Sequence, residues 1–340
     1  MIPRNIIIST RGHKLGDVIF SLPIATLLKR YFPHIKIGFI GNQYTKSIIE
    51  ACKNIDVFID KKNFLEQTVV ISDQRIESIL HVIPDREVAR RAKQLTIPLR
   101  IGTSRRLSHW LNCNRFVYLS RRSSPLHEIQ LNLKILKTFN IPYTFSLGDI
   151  PDLYELSDLS HFFSSVQLLE ADKFKLIIHA KSGGSAKEWS LQRYIELINL
   201  LDLDKFQIFI SGSTQEREAL KQLFDQVGHK VTDVCGQLSL NEFMGLVSRC
   251  DALIACSTGP LHLAAALGKH AIGIYAPRSP IFAQRWGPVG KNAQIFSLGN
   301  KNCNDCLEQD SSCFCIESIK PDDIKQALEN IRAKFINVKI

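Results

Sequence analysis

No uninterrupted apolar segment of this chain is long enough to span a bilayer. The start, Met1-Ile2-Pro3-Arg4-Asn5 running into Ile6-Ile7-Ile8, lacks the charged head and long apolar stretch of a secretory signal and reads as a first strand. A soluble, cytoplasmic protein is expected. Zinc-finger spacing, a basic zipper and an aromatic-rich RNP-like run are missing, which sets nucleic acid aside as a partner. Gly-x-Gly-x-x-Gly is absent, and no Gly-Lys-Ser/Thr closes a Walker A loop. His127-Glu128 is followed by Leu131 where a zincin needs a second histidine. Short internal repeats and low-complexity tracts are also lacking.

Acids are scarce in one place. Between Arg86 and Arg122 stand ten basic residues and a single acid, Glu87, within a chain of 43 Lys and Arg against 33 Asp and Glu, net +10. A face this basic favours a polyanion or an anionic membrane surface; a solvated face that merely aids solubility is the plainer reading. The 340 residues suffice for two ordinary domains, each with its own core. Nine cysteines include Cys303, Cys306, Cys313 and Cys315 in close pairs. Their Cys-x-x-Cys and Cys-x-Cys spacing, with no histidine nearby, favours a structural clip or free thiols over a metal site. Cys52, Cys113, Cys235, Cys250 and Cys256 read as small core residues.

Strands and helices alternate along most of the chain, the α/β signature. Expected elements of the first half are strands at 5–9, 36–40, 77–83 and 99–102, and helices at 18–32 and 127–140. The segment 146–159, with Gly148, Pro151 and several acids, breaks the rhythm and marks a domain junction. The alternation restarts with strands at 174–180 and 206–211, helices at 190–201 and 215–227, and an extended 230–234. A capping box, Ser239-Leu240-Asn241-Glu242, opens another helix. A strand at 270–275 follows, and a last helix begins near Pro321-Asp322-Asp323. Two doubly wound halves would place a cleft at the ends of both sheets.

The richest stretch is Asp251-Ala252-Leu253-Ile254-Ala255-Cys256, a buried strand, followed by Ser257-Thr258-Gly259-Pro260-Leu261-His262 opening a small-residue helix. Such a turn aims free N–H groups and a positive dipole end at whatever it holds, which suits a phosphate. A second turn, Lys181-Ser182-Gly183-Gly184-Ser185-Ala186-Lys187-Glu188-Trp189, combines paired glycines, hydroxyls and lysines into a candidate pyrophosphate cradle. Within it Trp189 reads as a core anchor and Lys187 as a ligand group in preference to a solvated loop lysine. His262 either touches a ligand or bonds a neighbouring loop. After the first strand, Gly12 and Gly16 bracket a loop that ends at Asp17. Asp17 is either a helix N-cap or a carboxylate held to take a proton from a hydroxyl.

Taken together these segments resemble glycosyltransferase family 9, the ADP-heptose:lipopolysaccharide heptosyltransferases. The resemblance rests on Leu15-Gly16-Asp17-Val18 with Leu22-Pro23, Lys187-Glu188-Trp189-Ser190, Glu216-Arg217-Glu218, the Ser257–Ala266 stretch, Tyr275-Ala276-Pro277, Trp286-Gly287-Pro288 and the cysteine-bearing tail. It implies a GT-B fold of two Rossmann-like doubly wound domains facing across a cleft. The acceptor domain falls at 1–155, the nucleotide-sugar domain at 172–320, and a C-terminal helix at 321–340 is placed back on the acceptor domain. It implies inverting transfer of heptose from ADP-heptose to Kdo–lipid A or heptosyl-Kdo–lipid A, with Asp17 as general base and no cofactor beyond the ADP-sugar substrate. Lys187 would meet the donor phosphates, Ser182 and Gly183 would line the same loop, and Glu216 would hold the ribose. Leu238 would wall the adenine, while Ser257, Thr258, Gly259 and His262 complete the donor side. Arg105, Arg106, Arg121 and Arg122, with His127, are the candidate grips for the anionic glycolipid on the inner membrane's cytoplasmic face. Ser257 departs from the pattern, since relatives usually carry Asp before the Ser/Thr-Gly pair. Rival readings are a nicotinamide oxidoreductase, a silent glycan-binding member, and a relative that glycosylates an autotransporter protein and binds iron through its cysteines.

Overall fold

The computed structural model describes residues 3–12, 14–121, 124–277, 281–298 and 313–338, with side chains as far as 335. The chain divides into two compact units, Met1–Asp158 and Leu159–Ile340. Each is built on one six-stranded, wholly parallel sheet.

The first unit runs β1 (Asn5–Ser9), α1 (Leu15–Ile19), α2 (Leu22–Tyr31), β2 (Lys36–Gly41), α3 (Lys46–Ala51), β3 (Val57–Asp60) and α4 (Lys61–Glu66). A small hairpin, β4 (Val70–Ile71) with β5 (Gln74–Arg75), precedes β6 (Ser78–His81) and α5 (Arg86–Gln94). Then come β7 (Leu99–Thr103), α6 (Leu107–Asn112), β8 (Arg115–Val117) and α7 (Glu128–Leu133). The sheet order is β3-β2-β1-β6-β7-β8. Every residue of β1 is buried, as a central strand covered on both faces requires, and its Ile6-Ile7-Ile8 run carries that pattern in the sequence. The Asn5 side chain donates to Arg75 O (3.0 Å) and accepts from Glu77 N (2.8 Å), fixing the entry into β6 beside β1.

The second unit runs β9 (Phe174–His179), α8 (Leu191–Leu200), β10 (Phe206–Ile210), α9 (Thr214–Ala219), α10 (Lys221–Val227) and β11 (Thr232–Asp233). It continues with α11 (Leu240–Arg249), β12 (Ala252–Ala255), α12 (Gly259–Ala266), β13 (His270–Tyr275) and α13 (Ala283–Trp286). It ends with β14 (Ala293–Ser297), α14 (Phe314–Glu317) and α15 (Pro321–Val338). The sheet order, β11-β10-β9-β12-β13-β14, repeats the topology of the first. Trp189, 1% exposed, is a core anchor here: its indole N–H donates to Ile319 O (3.1 Å) and its ring meets Tyr194 edge-on.

The expected packing of the C-terminal helix on the acceptor domain is corrected. Ile324, Leu328 and Ile331, a single stripe of α15, lie in the same core as Trp189, Tyr194 and Ile198, and α15 packs on α8. Three of the long helices read from the sequence are broken. Pro23 sits at the start of α2 and has no N–H to continue α1, so the expected 18–32 helix splits at Phe20-Ser21. The 127–140 helix is α only over Glu128–Leu133, tightens to a 3-10 helix over Lys134–Phe139 and stops at Asn140 in the left-handed region (φ 56°). The 215–227 helix jogs at Leu220 between α9 and α10. Among the described residues no helix is long and apolar enough to cross a membrane.

Candidate functional site

In the second sheet β9 lies between β10 and β12, so the loops leaving the carboxyl ends of β9 and β12 part on either side of a switch point. Ligands of open α/β sheets bind at such points. The β9 loop takes the left-handed region at Gly183 (φ 55°) and Gly184 (φ 77°), which a side chain would strain. Glu188, 8% exposed, organises it from below. One carboxylate oxygen accepts from Ser182 N (2.7 Å) and Ser182 Oγ (2.9 Å), and the other accepts from the Lys181 ammonium. Ser185 Oγ sits between Ser182 O (2.8 Å) and Ser257 O (3.0 Å) and so ties the β9 loop to the β12 turn. Lys187 is half-buried in this loop.

The β12 turn leads into α12 with Thr258 at the N-cap in extended conformation and Pro260 in the first turn. Thr258 makes no side-chain cap bond, and its Oγ1 is buried without a partner among the described groups. A buried hydroxyl left unmatched beside the positive end of a helix is poised for an anion. His262, 4% exposed, lies in the first turn of the same helix. Ser257 is engaged differently. Its hydroxyl hydrogen-bonds the Tyr275 phenol, and the Tyr275 O–H donates to Trp286 O (2.6 Å). The Ser257 hydroxyl thus fixes a buried tyrosine.

Glu216 serves two faces. Its Oε2 accepts from Ser213 N (2.7 Å) as a capping box for α9, while Oε1 is the nearest atom to the space a side chain on Gly183 would take, 3.6 Å away. Gly236 (φ 68°) lies against Thr214 so closely that any Cβ there would sit 2.4 Å from its hydroxyl, and half-buried Leu238 follows. His179, at the carboxyl end of β9, did not stand out in the sequence. Its Nδ1 lies 3.0 Å from Ser211 Oγ, and burial lowers its pKa against the pull of Glu216 and Glu188. Glu188 and His179 were legible only as neighbours of flagged residues; their roles come from contacts that the fold makes.

The first sheet has its own switch point between β1 and β6. Gly12 (φ 75°) turns the loop after β1, donating to Thr10 Oγ1 (3.1 Å) while its carbonyl accepts from Thr45 Oγ1 (3.0 Å). Asp17 is the third residue of α1, half-buried, and the N-cap is Lys14, so the capping alternative for Asp17 is corrected. A carboxylate in the first turn is favoured by the helix dipole.

Behind this edge lies a buried pair. His81 ends β6 in register with Ser9, both its ring nitrogens lack partners among the described groups, and its ring is 5.4 Å from that of His109. His109 Nδ1 accepts from Thr103 N (2.9 Å). Burial, then repulsion from His109 and Arg100 against the pull of Asp85, pushes His81 from 6.5 down to about 3. Burial and then Arg106 push His109 down to about 4, opposed by the Thr103 bond. Both are neutral when folded and protonate more readily when unfolded. Their contribution is complete above the unfolded value of 6.5 and is lost as pH falls toward 4 and 3. Urea midpoints are expected to fall from about pH 7 to pH 5, at up to about 1.4 kcal/mol per pH unit for each histidine, and His81→Leu should flatten the slope. A pH-independent midpoint would contradict this.

The proposed acceptor grips part ways. Arg105 and Arg106 are exposed. Arg121 is three-quarters buried: it pairs with Glu128 and donates to Val82 O (2.9 Å) and Asn132 Oδ1 (2.9 Å), so its guanidinium is occupied within its own unit. His127, 2% exposed, is corrected to a helix cap. Its Nδ1 accepts from Ile129 N (3.2 Å), Gln130 closes the capping box, and Phe20 packs edge-on against its ring. Arg122, Cys303 and Cys306 lie outside the described residues. Cys313 and Cys315 are buried in the second unit's core. Among the described residues no group of three or more His, Cys, Asp or Glu is placed to hold a metal ion.

The profile of glycosyltransferase family 9 (heptosyltransferase) matches residues 89–316. This chain belongs to that family. The family 9 chain is 21% identical over 311 residues to the lipopolysaccharide core heptosyltransferase OpsX of Haemophilus influenzae, covering 88% of this chain and 86% of the relative. It is 24% identical over 348 residues to lipopolysaccharide heptosyltransferase 1 of Campylobacter coli, covering 93% and 96%. The structure of ADP-heptose lipopolysaccharide heptosyltransferase II from Escherichia coli superposes with a TM-score of 0.76 at 16% identity, covering 97% of this chain and 99% of that one. The fold is GT-B, with two Rossmann-like units, and the protein is a glycosyltransferase.

Proposed function

We propose that this family 9 enzyme transfers heptose from ADP-heptose to an inner-core lipopolysaccharide acceptor, Kdo–lipid A or heptosyl-Kdo–lipid A, with inversion at the anomeric carbon. The observation that carries the reading is the pair of switch-point turns in the second unit, tied by Ser185 to Ser257 and ending at the unmatched hydroxyl of Thr258. The names of the relatives point to the same chemistry.

In this reading the diphosphate lies at the N-terminus of α12 and the β9 loop, with Lys187 offsetting its charge. Ser182 and Gly183 shape the loop, Glu216 takes the ribose, Leu238 packs beside adenine, and Gly259 and His262 complete the wall. The acceptor oxygen attacks the anomeric carbon as the bond to the phosphate oxygen breaks. ADP departs with the electron pair, and Asp17 takes the acceptor proton. Donors fixed before reaction stabilise the leaving diphosphate without reorganising solvent.

Arg105 and Arg106 meet the anionic part of the acceptor, which stays anchored in the inner membrane while the enzyme works from the cytoplasmic side. The charge reversal Arg105→Glu with Arg106→Glu is expected to raise the acceptor KM about tenfold or more and leave the donor KM unchanged. An unchanged acceptor KM sinks that assignment. The reading as a whole is tested by mass spectrometry of glycolipid incubated with ADP-heptose and the full chain. A mass gain of one heptose supports it, and ADP-heptose consumed only on a protein acceptor refutes it.

A further inference from the structure

Helix α6 is turned inside out. Its inward residue is a histidine, and its outward residues are apolar. His109 is fully buried on Thr103 and His81, while Lys93 Nζ donates to Leu111 O (2.9 Å) and Arg100 Nε to Asn112 O (2.7 Å), clamping the far end. Leu107, Trp110 and Leu111, at spacings of three and four, share one face and are 76%, 60% and 63% exposed. The patch continues onto β8, the outermost strand. Phe116 stacks on Trp110 (centroids 5.1 Å, 25° between planes), and Tyr118 is 67% exposed. Trp110 is also held by an N–H bond to Ser104 O (2.8 Å). These five are among sixteen large exposed hydrophobics of the described residues, yet they fall within twelve consecutive residues. A rigid, exposed apolar face of this kind marks an interaction surface.

Charge selects the partner. Exposed Arg105 and Arg106 stand directly before Leu107, and no Asp or Glu occurs between Glu87 and Glu128. Arg105 lies over the Tyr118 ring, 5.8 Å from its centroid. Tryptophan and tyrosine beside leucines, next to arginine, match the boundary between acyl chains and anionic headgroups. A protein partner or a second copy would need matching acids, and this stretch of chain offers none to a twin.

We infer that the α6–β8 face docks on an anionic lipid bilayer, Leu107, Trp110 and Leu111 entering the acyl boundary while the arginines meet phosphates. Because the strands are parallel, α6 leaves the same edge of the sheet as the loop that carries Asp17. The face therefore sets that edge toward a membrane-borne acceptor. This orienting role rests on the proposed lipid acceptor; the docking itself does not.

The test is co-sedimentation of the full chain with vesicles of phosphatidylcholine alone or mixed with phosphatidylglycerol, without donor or acceptor. Wild type is expected to bind the mixed vesicles and leave the neutral ones. The Leu107→Ser, Trp110→Ser, Leu111→Ser triple variant is expected to lose about tenfold or more of that binding, as is Arg105→Glu with Arg106→Glu. A blue shift of tryptophan emission on mixed vesicles should vanish in Trp110→Phe, a change that preserves the fold. Equal binding by wild type and the triple variant overturns the proposal. So does sedimentation velocity showing a wild-type dimer that the triple variant dissolves, since a second copy would then cover the face. Turnover on deacylated, water-soluble acceptor separates the two ideas: the triple variant should match wild type there and fall behind only on vesicle-embedded acceptor. Wild type that binds vesicles but never transfers heptose refutes the functional reading and leaves the docking face intact.

Discussion

Asp17→Asn is expected to cut heptose transfer by about 10²–10⁴-fold while leaving donor affinity and folding stability almost unchanged. The substitution keeps size and hydrogen-bonding shape and removes the ability to accept a proton. Asp17 is not the cap of α1, and its backbone carbonyl, which accepts from Ser21 Oγ (2.8 Å), is retained in asparagine, so the fold keeps these contacts. The favourable first-turn charge is lost, at about 0.3–1 kcal/mol. Donor affinity is spared because the turns proposed to hold the nucleotide belong to the other unit. A fall confined to kcat assigns the residue to the transition state. Turnover within a few-fold of wild type would remove Asp17 from the chemistry.

Glu188→Ala is expected to weaken ADP binding by about 10²-fold and to lower the melting temperature as well. One carboxylate holds the Lys181 ammonium, the Ser182 N–H and the Ser182 hydroxyl, and it is almost inaccessible. Removing one partner of such a buried pair costs about 3–5 kcal/mol, because the groups left behind have nowhere to turn. The loop then loses the conformation that Gly183 and Gly184 adopt and that Ser185 ties to Ser257. Glu188→Gln should fall between the two, since an amide oxygen still accepts from Ser182 N but carries no charge for Lys181. ADP calorimetry with thermal melts of the three proteins checks the order. An alanine variant that binds ADP as wild type does would show that the loop is not the cradle.

The two turns were legible because their strands are central. Leu176-Ile177-Ile178 and Leu253-Ile254 are runs without polar alternation, as burial on both faces demands, and each is followed by glycine or hydroxyl residues that only a turn can use. Two of the outer strands, β8 and β14, were not legible. Arg115–Val117 buries one residue of three, and Ala293–Ser297 buries none fully; pairing with β7 and β13 makes them strands, a contact that no local apolar pattern announces. His127 and Arg121 show the same limit for side chains. Their chemistry suggested ligand contacts, but the chain direction at 127 turns an imidazole into a cap, and the fold returns Glu128 to Arg121. At Leu107-Ser108-His109-Trp110-Leu111 it is the observed facing, histidine in and leucines out, that reveals the surface.

The central claim is that the turns after β9 and β12 hold a nucleoside diphosphate. Calorimetric titration of the full chain with ADP, compared with Thr258→Val, tests it most directly, because the change removes one buried hydroxyl that has no partner among the described groups and preserves the shape. One ADP per chain is predicted, with affinity falling about tenfold or more in the variant, as expected for a hydrogen bond to a charged group. Wild type that takes up no ADP, or two proteins that bind it equally well, would contradict the account.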